Sequence, residues 1–492
     1  MNGRKSPNVL LICVDQWRGD CLSSQGHPVV KTPYLDLLAR DGVNFDAAYS
    51  ATPTCVPARV ALMTGQSQER HGRVGYQDLV PFQEAHPVPT LAGSFRDAGY
   101  QTQCVGKMHV YPERARLGFD DIRLHDGFLH AARRRAERDL ASIDDYLPWL
   151  RKQPGMTATE DYTDNGLNCN SYTARPWDKP EPTHPSNWVV TEAIDWLHRR
   201  DTTAPFFLYL SFHRPHPPFD PPQWAFEQYL DAPVADLPMG DWLDDYAEFR
   251  ADGDADAVVG AADPESHRRA VAGYYGHMSH IDGQIERFLA ALENFQLREE
   301  TIVVVTSDHG DMMGDHGMYR KGQPYQGSAR IPLIISVPGA TTGLRRHVAD
   351  VVELRDLMPT LLDAAGIPVP DSVDGKSLLP IVLDPVAGPV REYLHGEHVL
   401  LGQSLQWLTD GRRKFVWLSG SGREQFFDLE QDPQELRNLA ADPDRAEEVG
   451  QWRDRLIEAL EGREEGFVAD GGLLAGRPVH PTAARIRGLA RS

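Results

Sequence analysis

The stretch Ala51–Gly65, ATPTCVPARVALMTG, constrains this chain more than any other. It reads as a short loop, then Cys55, then a helix. Pro57 suits the first helical turn, where its missing N–H costs nothing. Ala58–Met63 are good helix formers, and Gly65 is a natural stop. Cys55 is thereby placed just before a helix N-terminus, where unpaired backbone N–H groups and the helix dipole favour anions. Arg59 returns near Cys55 one turn on and adds a fixed positive charge. A lone cysteine before a helix is usually a core thiol. The proline, the arginine and the Thr-Gly ending, taken together, point instead to a site.

A chain of 492 residues is long enough for two domains. Its 41 % hydrophobic and 25 % charged residues are ordinary for a globular protein. The net charge of −21 argues against a broad nucleic-acid or anionic-membrane surface. An acidic chain acting on an anion therefore needs a local positive pocket. No apolar run reaches the length of a membrane span, and MNGRKSPN leading into VLLICV does not read as a signal peptide, so a cytoplasmic protein is expected. The five cysteines show no paired spacing. Cys13 and Cys104 lie in strand-like runs and read as inert buried thiols.

Four apolar runs end in reactive residues. Val9–Val14 ends at Asp15-Gln16, and Tyr100–Val105 at Gly106-Lys107-Met108-His109. Pro205–Phe212 ends at His213-Arg214-Pro215-His216, and Thr301–Thr306 at Ser307-Asp308-His309. Such runs predict an α/β sheet, and ligands bind beyond the carboxyl ends of its strands. Asp15, Gln16, Asp308 and His309 offer two carboxylates, an amide oxygen and an imidazole to one divalent cation. Oxygen-rich ligation favours Ca²⁺, Mg²⁺ or Mn²⁺ over zinc. Residues 114–185 read as an insertion over the pocket, and the charge run 131–139 as a solvated helix face. Residues 220–264 read as loop. A boundary near residues 385–390 divides 1–388 from a smaller α+β unit at 389–492, with short strands and a helix at 443–461. The tail from Phe467 reads as an arm reaching for a partner.

The segment CVPARVALMTG fits C-x-P-x-R-x-x-L-x-T-G and resembles the activation motif of the type I sulfatases. GYQTQCVGKMH is similar to the second motif of that family. Further likenesses extend from about Asn8 to about Leu439. The resemblance implies the alkaline-phosphatase-like fold, a large mixed sheet flanked by helices with a small C-terminal α+β domain. It implies that a formylglycine-generating enzyme oxidises Cys55 to formylglycine. One hydroxyl of the aldehyde hydrate then attacks sulfur, and the second expels sulfate as the aldehyde re-forms. It implies one divalent metal held by Asp15, Gln16, position 55, Asp308 and His309, usually calcium. The family pattern is commonly Asp-Asp…Asp-Asn. Asp-Gln…Asp-His here removes a charge, adds a nitrogen ligand and leaves room for Mn²⁺ or Mg²⁺, as in the phosphonate monoester and choline-sulfate branches. The remaining implied roles are catalytic. Arg59 orients position 55, His109 acts as base in release, Lys107 and Lys321 neutralise the anion, and His216 with Lys321 protonates the leaving oxygen.

The expected activity is hydrolysis of small anionic sulfate monoesters, aryl or carbohydrate. A phosphonate monoester or phosphodiester hydrolase and a silent sulfatase-like binding protein are the alternatives. Arg73, Tyr76, Gln77, Arg214, Tyr319 and Arg320 read equally as shapers of the alcohol subsite and as ordinary surface. A homo-oligomer is left open.

Overall fold

A computed structural model describes residues 6–490 apart from 78, 128–139, 164, 234–235 and 345. The charge run 131–139 therefore lies outside the described residues. In chain order the strands are β1 (Asn8–Asp15), β2 (Val43–Phe45), β3 (Ala48–Tyr49), β4 (Gln101–Gly106), β5 (Asp121–Leu124), β6 (Phe206–Pro215) and β7 (Thr301–Ser307). They continue with β8 (Leu333–Ser336), β9 (Arg346–Val348), β10 (Val352–Glu353), β11 (Leu394–Leu400), β12 (Gln403–Thr409), β13 (Arg413–Leu418) and β14 (Glu424–Asp428). The main sheet has the order β5-β4-β6-β1-β7-β8-β2-β9. From β5 to β7 every neighbour is parallel, and β8 reverses the direction.

The sequence of β1 explains why it is central. All eight residues are buried, and its side chains alternate between two apolar layers. Leu10, Ile12 and Val14 pack with the helices Pro185–Arg199 and Pro264–Asn294 on one face. Val9, Leu11 and Cys13 pack with the helices Cys55–Thr64 and Leu357–Ala364 on the other. The long helix starts cleanly because the Asp263 carboxylate accepts from the N–H groups of Glu265 and Ser266, with Pro264 in its first turn.

The four strands β11 to β14 form an antiparallel meander. Leu408, Phe415, Trp417 and Phe426 face the helix Ala446–Leu460. Leu405, Trp407, Val416, Leu418 and Phe427 face the other way, onto Tyr49, Trp242 and Tyr325 of the main body.

Three expectations change. The stretch 114–185 is not all insertion, because β5 within it is the edge strand of the main sheet; its four residues are too few to show a pattern. Residues 220–264 include the helix Gln223–Leu230. The tail folds back on its own chain: Val74 N–H donates to Pro481 O at 3.0 Å and Ala483 N–H to Gly72 O at 2.8 Å. No described helix is long and apolar enough to cross a membrane.

Gly106 ends β4 at φ +102°, and a Cβ there would lie 1.8 Å from the Ser211 carbonyl oxygen of β6. Neither strand backbone can move without opening the sheet. Gly106→Ala is therefore expected to destabilise the protein by about 3 kcal/mol or more, read as a shift in denaturant midpoint. The same change at Gly99, also at positive φ but with open space around it, should cost much less.

Candidate active site

The helix expected after Cys55 is present and runs from Cys55 to Thr64, with Thr54 as an extended N-cap and Gly65 left-handed at φ 64°. Cys55 is 2 % exposed. Its Sγ lies 3.2 Å from His309 Nε2 and 3.7 Å from Asp15 Oδ1. Asp15 Oδ1 is 3.4 Å from the same His309 nitrogen, and Asp308 Oδ1 is 3.6 Å from it. The donor atoms of Asp15, Cys55, Asp308 and His309 thus fall within 4.8 Å of one another.

The outer oxygen of each carboxylate is held by a buried cation. Lys107 Nζ pairs with Asp15 Oδ2. Arg59 Nε pairs with Asp308 Oδ2 at 2.8 Å, while its Nη1 donates to Lys107 O, Tyr209 Oη and Ser211 Oγ, each at 2.9 Å. Arg59 is committed to Asp308 and to the ends of β4 and β6. Arg59, read from the sequence as orienting position 55, holds the neighbouring carboxylate, which clusters with Cys55.

The thiols separate by electrostatics. Burial pushes Cys13 up to about 12, and pushes Cys104 well above the usual thiol value. Burial and Asp15 act the same way on Cys55, but Lys107, Lys321 and His309 outweigh them and hold it well below. At Asp15, Lys107, His216, His309 and Lys321 overcome burial and keep the carboxyl well below its usual range.

The donor set suits a divalent cation. His309 Nδ1 donates to Gly310 O at 2.9 Å, which leaves the Nε2 lone pair facing the two inner carboxylate oxygens. Despite burial, Asp308 and Cys55 raise the His309 imidazole. Gln16 is arranged differently from the expectation. Its amide oxygen accepts from Lys321 Nζ at 2.7 Å, and its amide nitrogen donates to Asp311. Its backbone N–H, in a left-handed residue at φ 67°, donates to Asp308 Oδ1 at 3.1 Å.

These groups open onto a cavity of about 310 Å³ lined by Cys55, Lys107, His109, His213, His216 and Lys321 among others. His213, near the end of β6, and His216, just after it, are therefore both in the pocket, although the sequence favoured His216. His216 Nδ1 donates to Pro217 O at 2.8 Å, and burial with Lys321 lowers its imidazole well below the usual value. His109 sits at φ 56°, held because Asp126 accepts from the N–H groups of Met108 and His109 at 2.7 and 3.0 Å. Asp126 had no signal in the sequence. Of the residues read equally as subsite or surface, Tyr76, Gln77 and Arg320 line the cavity. Arg73 lines it too, but its guanidinium is bound to His86 and to the carbonyls of Gln77 and Val80. Arg214 forks onto Asp220 at 2.8 and 3.1 Å, and Tyr319 packs on Tyr172, so both support the wall from behind. Cys169 and Asn170 line the cavity, so part of the 114–185 stretch does cover it. His398, from β11, is a lining residue that sequence reasoning missed.

Removing Arg59 would leave Asp308 buried without its cation. Arg59→Ala is expected to cost about 3–5 kcal/mol in denaturant unfolding. Arg59→Lys should recover only part of this, because an ammonium cannot reproduce the fork to Asp308, Tyr209 and Ser211.

Comparison with known proteins agrees with this fold. The sulfatase family matches residues 7–367, and the C-terminal region of N-sulphoglucosamine sulphohydrolase matches residues 314–462. An arylsulfatase of Clostridium perfringens is 48 % identical, across 96 % of this chain and 98 % of its own length. A choline-sulfatase of Rhizobium meliloti is 30 % identical, across 89 % and 83 %. The crystal structure of the phosphonate monoester hydrolase of Agrobacterium radiobacter superposes with a TM-score of 0.74 at 29 % identity, covering 92 % of this chain and 95 % of that one. Matched by the family model over residues 7–367 and by an arylsulfatase along nearly its whole length, this chain belongs to the sulfatase family, the hydrolases of sulfuric esters.

Proposed function

We propose that this sulfatase cleaves aryl or carbohydrate sulfate monoesters, with residue 55 as the nucleophile in its formylglycine form. One observation carries the reading: Cys55 opens a helix inside a cavity where two carboxylates and His309 meet it on one side and Lys107 and Lys321 line the wall. The aldehyde hydrate would supply one hydroxyl to attack sulfur and a second to release sulfate. Asp15, Asp308, His309 and position 55 would hold a divalent cation, calcium first and Mn²⁺ or Mg²⁺ next, which supplies Lewis-acid polarisation. Gln16 would join them only by sharing its oxygen with Lys321.

The other roles follow from charge. Lys107 and Lys321 bring the fixed positive charge that an acidic chain needs to admit an anion. Arg59 positions Asp308. Lys321 faces the leaving oxygen beside His216. An anionic ester in the cavity offsets the field of Lys321 and favours the proton on His216, which then donates from Nε2 because Nδ1 is committed to Pro217. His109 is assigned to the release step. Cys55 is buried in the folded chain, so the maturation enzyme would act on it before folding is complete. All five cysteines are unpaired and buried, which supports a reducing, cytoplasmic setting.

The test is peptide mass spectrometry at residue 55 together with turnover of aryl and sugar sulfates and of a phosphonate ester with the same leaving group. Active protein should carry formylglycine and prefer the sulfate. Cys55→Ser should keep its melting temperature within about 3 °C but lose nearly all turnover, because serine has no second hydroxyl to release sulfate. A fully active serine variant would exclude this mechanism. Asp15→Ala and Asp308→Ala should lose bound metal and turnover in step, by metal analysis and rate. Full metal content in either would remove that residue from the ligand set.

A further inference from the structure

His398 lies in the wall of the same cavity, although it comes from the C-terminal sheet. Its backbone is pinned on both sides to the body of the enzyme. Glu397 N–H donates to Ala51 O at 2.9 Å, four residues before Cys55, and Val399 N–H donates to Val74 O at 2.7 Å. The ring lies against Gly322, next to Lys321; a Cβ on Gly322 would sit 2.9 Å from His398 Cε1 and Nδ1. The imidazole is 3 % exposed, and neither ring nitrogen has a hydrogen-bond partner among the described residues. Burial, with His309 nearby, pulls it down to about 3.

A buried imidazole without partners is destabilising. The strand fixes the backbone but not the ring, so a turn about the side-chain bonds is what brings a nitrogen to the cavity. A neutral ring adds no charge toward the sulfate oxygens, which Lys107 and Lys321 already serve. It offers an N–H and a lone pair, the match for a group that both donates and accepts. We propose that His398 is a specificity residue which hydrogen-bonds a hydroxyl on the alcohol part of the ester, beside the sulfate. This rests on the sulfatase reading above. A site that binds a substrate hydroxyl discriminates strongly against the analogue lacking it, because its own polar group is then stranded.

The experiment uses the matured full-length enzyme and two ester pairs. One is 2-hydroxyphenyl sulfate against phenyl sulfate; the other is a hexose sulfate against its deoxy analogue lacking the neighbouring hydroxyl. The wild type should favour the hydroxyl-bearing member of at least one pair by tenfold or more in kcat/KM. In His398→Ala that ratio should fall at least tenfold, with the loss shared between KM and kcat. His398→Gln, which keeps a donor and an acceptor, should retain part of it and serves if the alanine variant does not fold. A ratio unchanged in a folded variant, or no wild-type preference in either pair, overturns the assignment of His398. Failure of the wild type on all four esters would instead overturn the sulfatase reading.

Discussion

Two carboxylates buried side by side at the ends of parallel strands set the terms for everything around them. Asp15 and Asp308 are both fully buried, and each such charge costs several kcal/mol to desolvate unless it is paired. The chain gives each one a cation on its outer oxygen, Lys107 for Asp15 and Arg59 for Asp308. The inner oxygens are left to converge with His309 and Cys55. The outer oxygens are held by the cations and the inner ones face the chemistry, Asp308 Oδ1 also accepting from the backbone N–H groups of Gln16 and His309.

That division depends on sheet order. Asp15 and Asp308 are neighbours because β1 and β7 are adjacent, with Val14 opposite Ser307. Lys107 follows β4, which is separated from β1 by β6. The guanidinium of Arg59 spans that gap by meeting Tyr209 and Ser211 of β6 as well as the Lys107 carbonyl. Ser211 is opposite both Cys13 and Gly106. A slip of one residue in any of these strands would turn its terminal side chain to the other face.

The parts that were legible in the sequence carry their own local signals. Pro57, Gly65 and the run between them define the helix after Cys55 without help from the rest of the chain. The buried parallel strands announce themselves as unbroken apolar runs, and each stops where a polar pair begins. What was illegible depends on distant partners. β5 is an edge strand only because β4 is beside it. Gln16 was grouped with the ligands by type, but Lys321 and Asp311, some three hundred residues away, decide where its amide points. Arg73 read equally as subsite or surface, and only the carbonyls of Gln77 and Val80 decide where its guanidinium goes. His398 sits in an ordinary strand pattern, and only the docking of β11 beside Ala51 gives it a pocket to face.

The fold-back of residues 481–483 onto Gly72 and Val74 has a consequence for biogenesis. Arg73, between those two anchored residues, organises one wall of the cavity. A wall begun early in translation is therefore braced only after some four hundred further residues have left the ribosome. Until then the pocket side at Gly72–Gly75 lacks its backing.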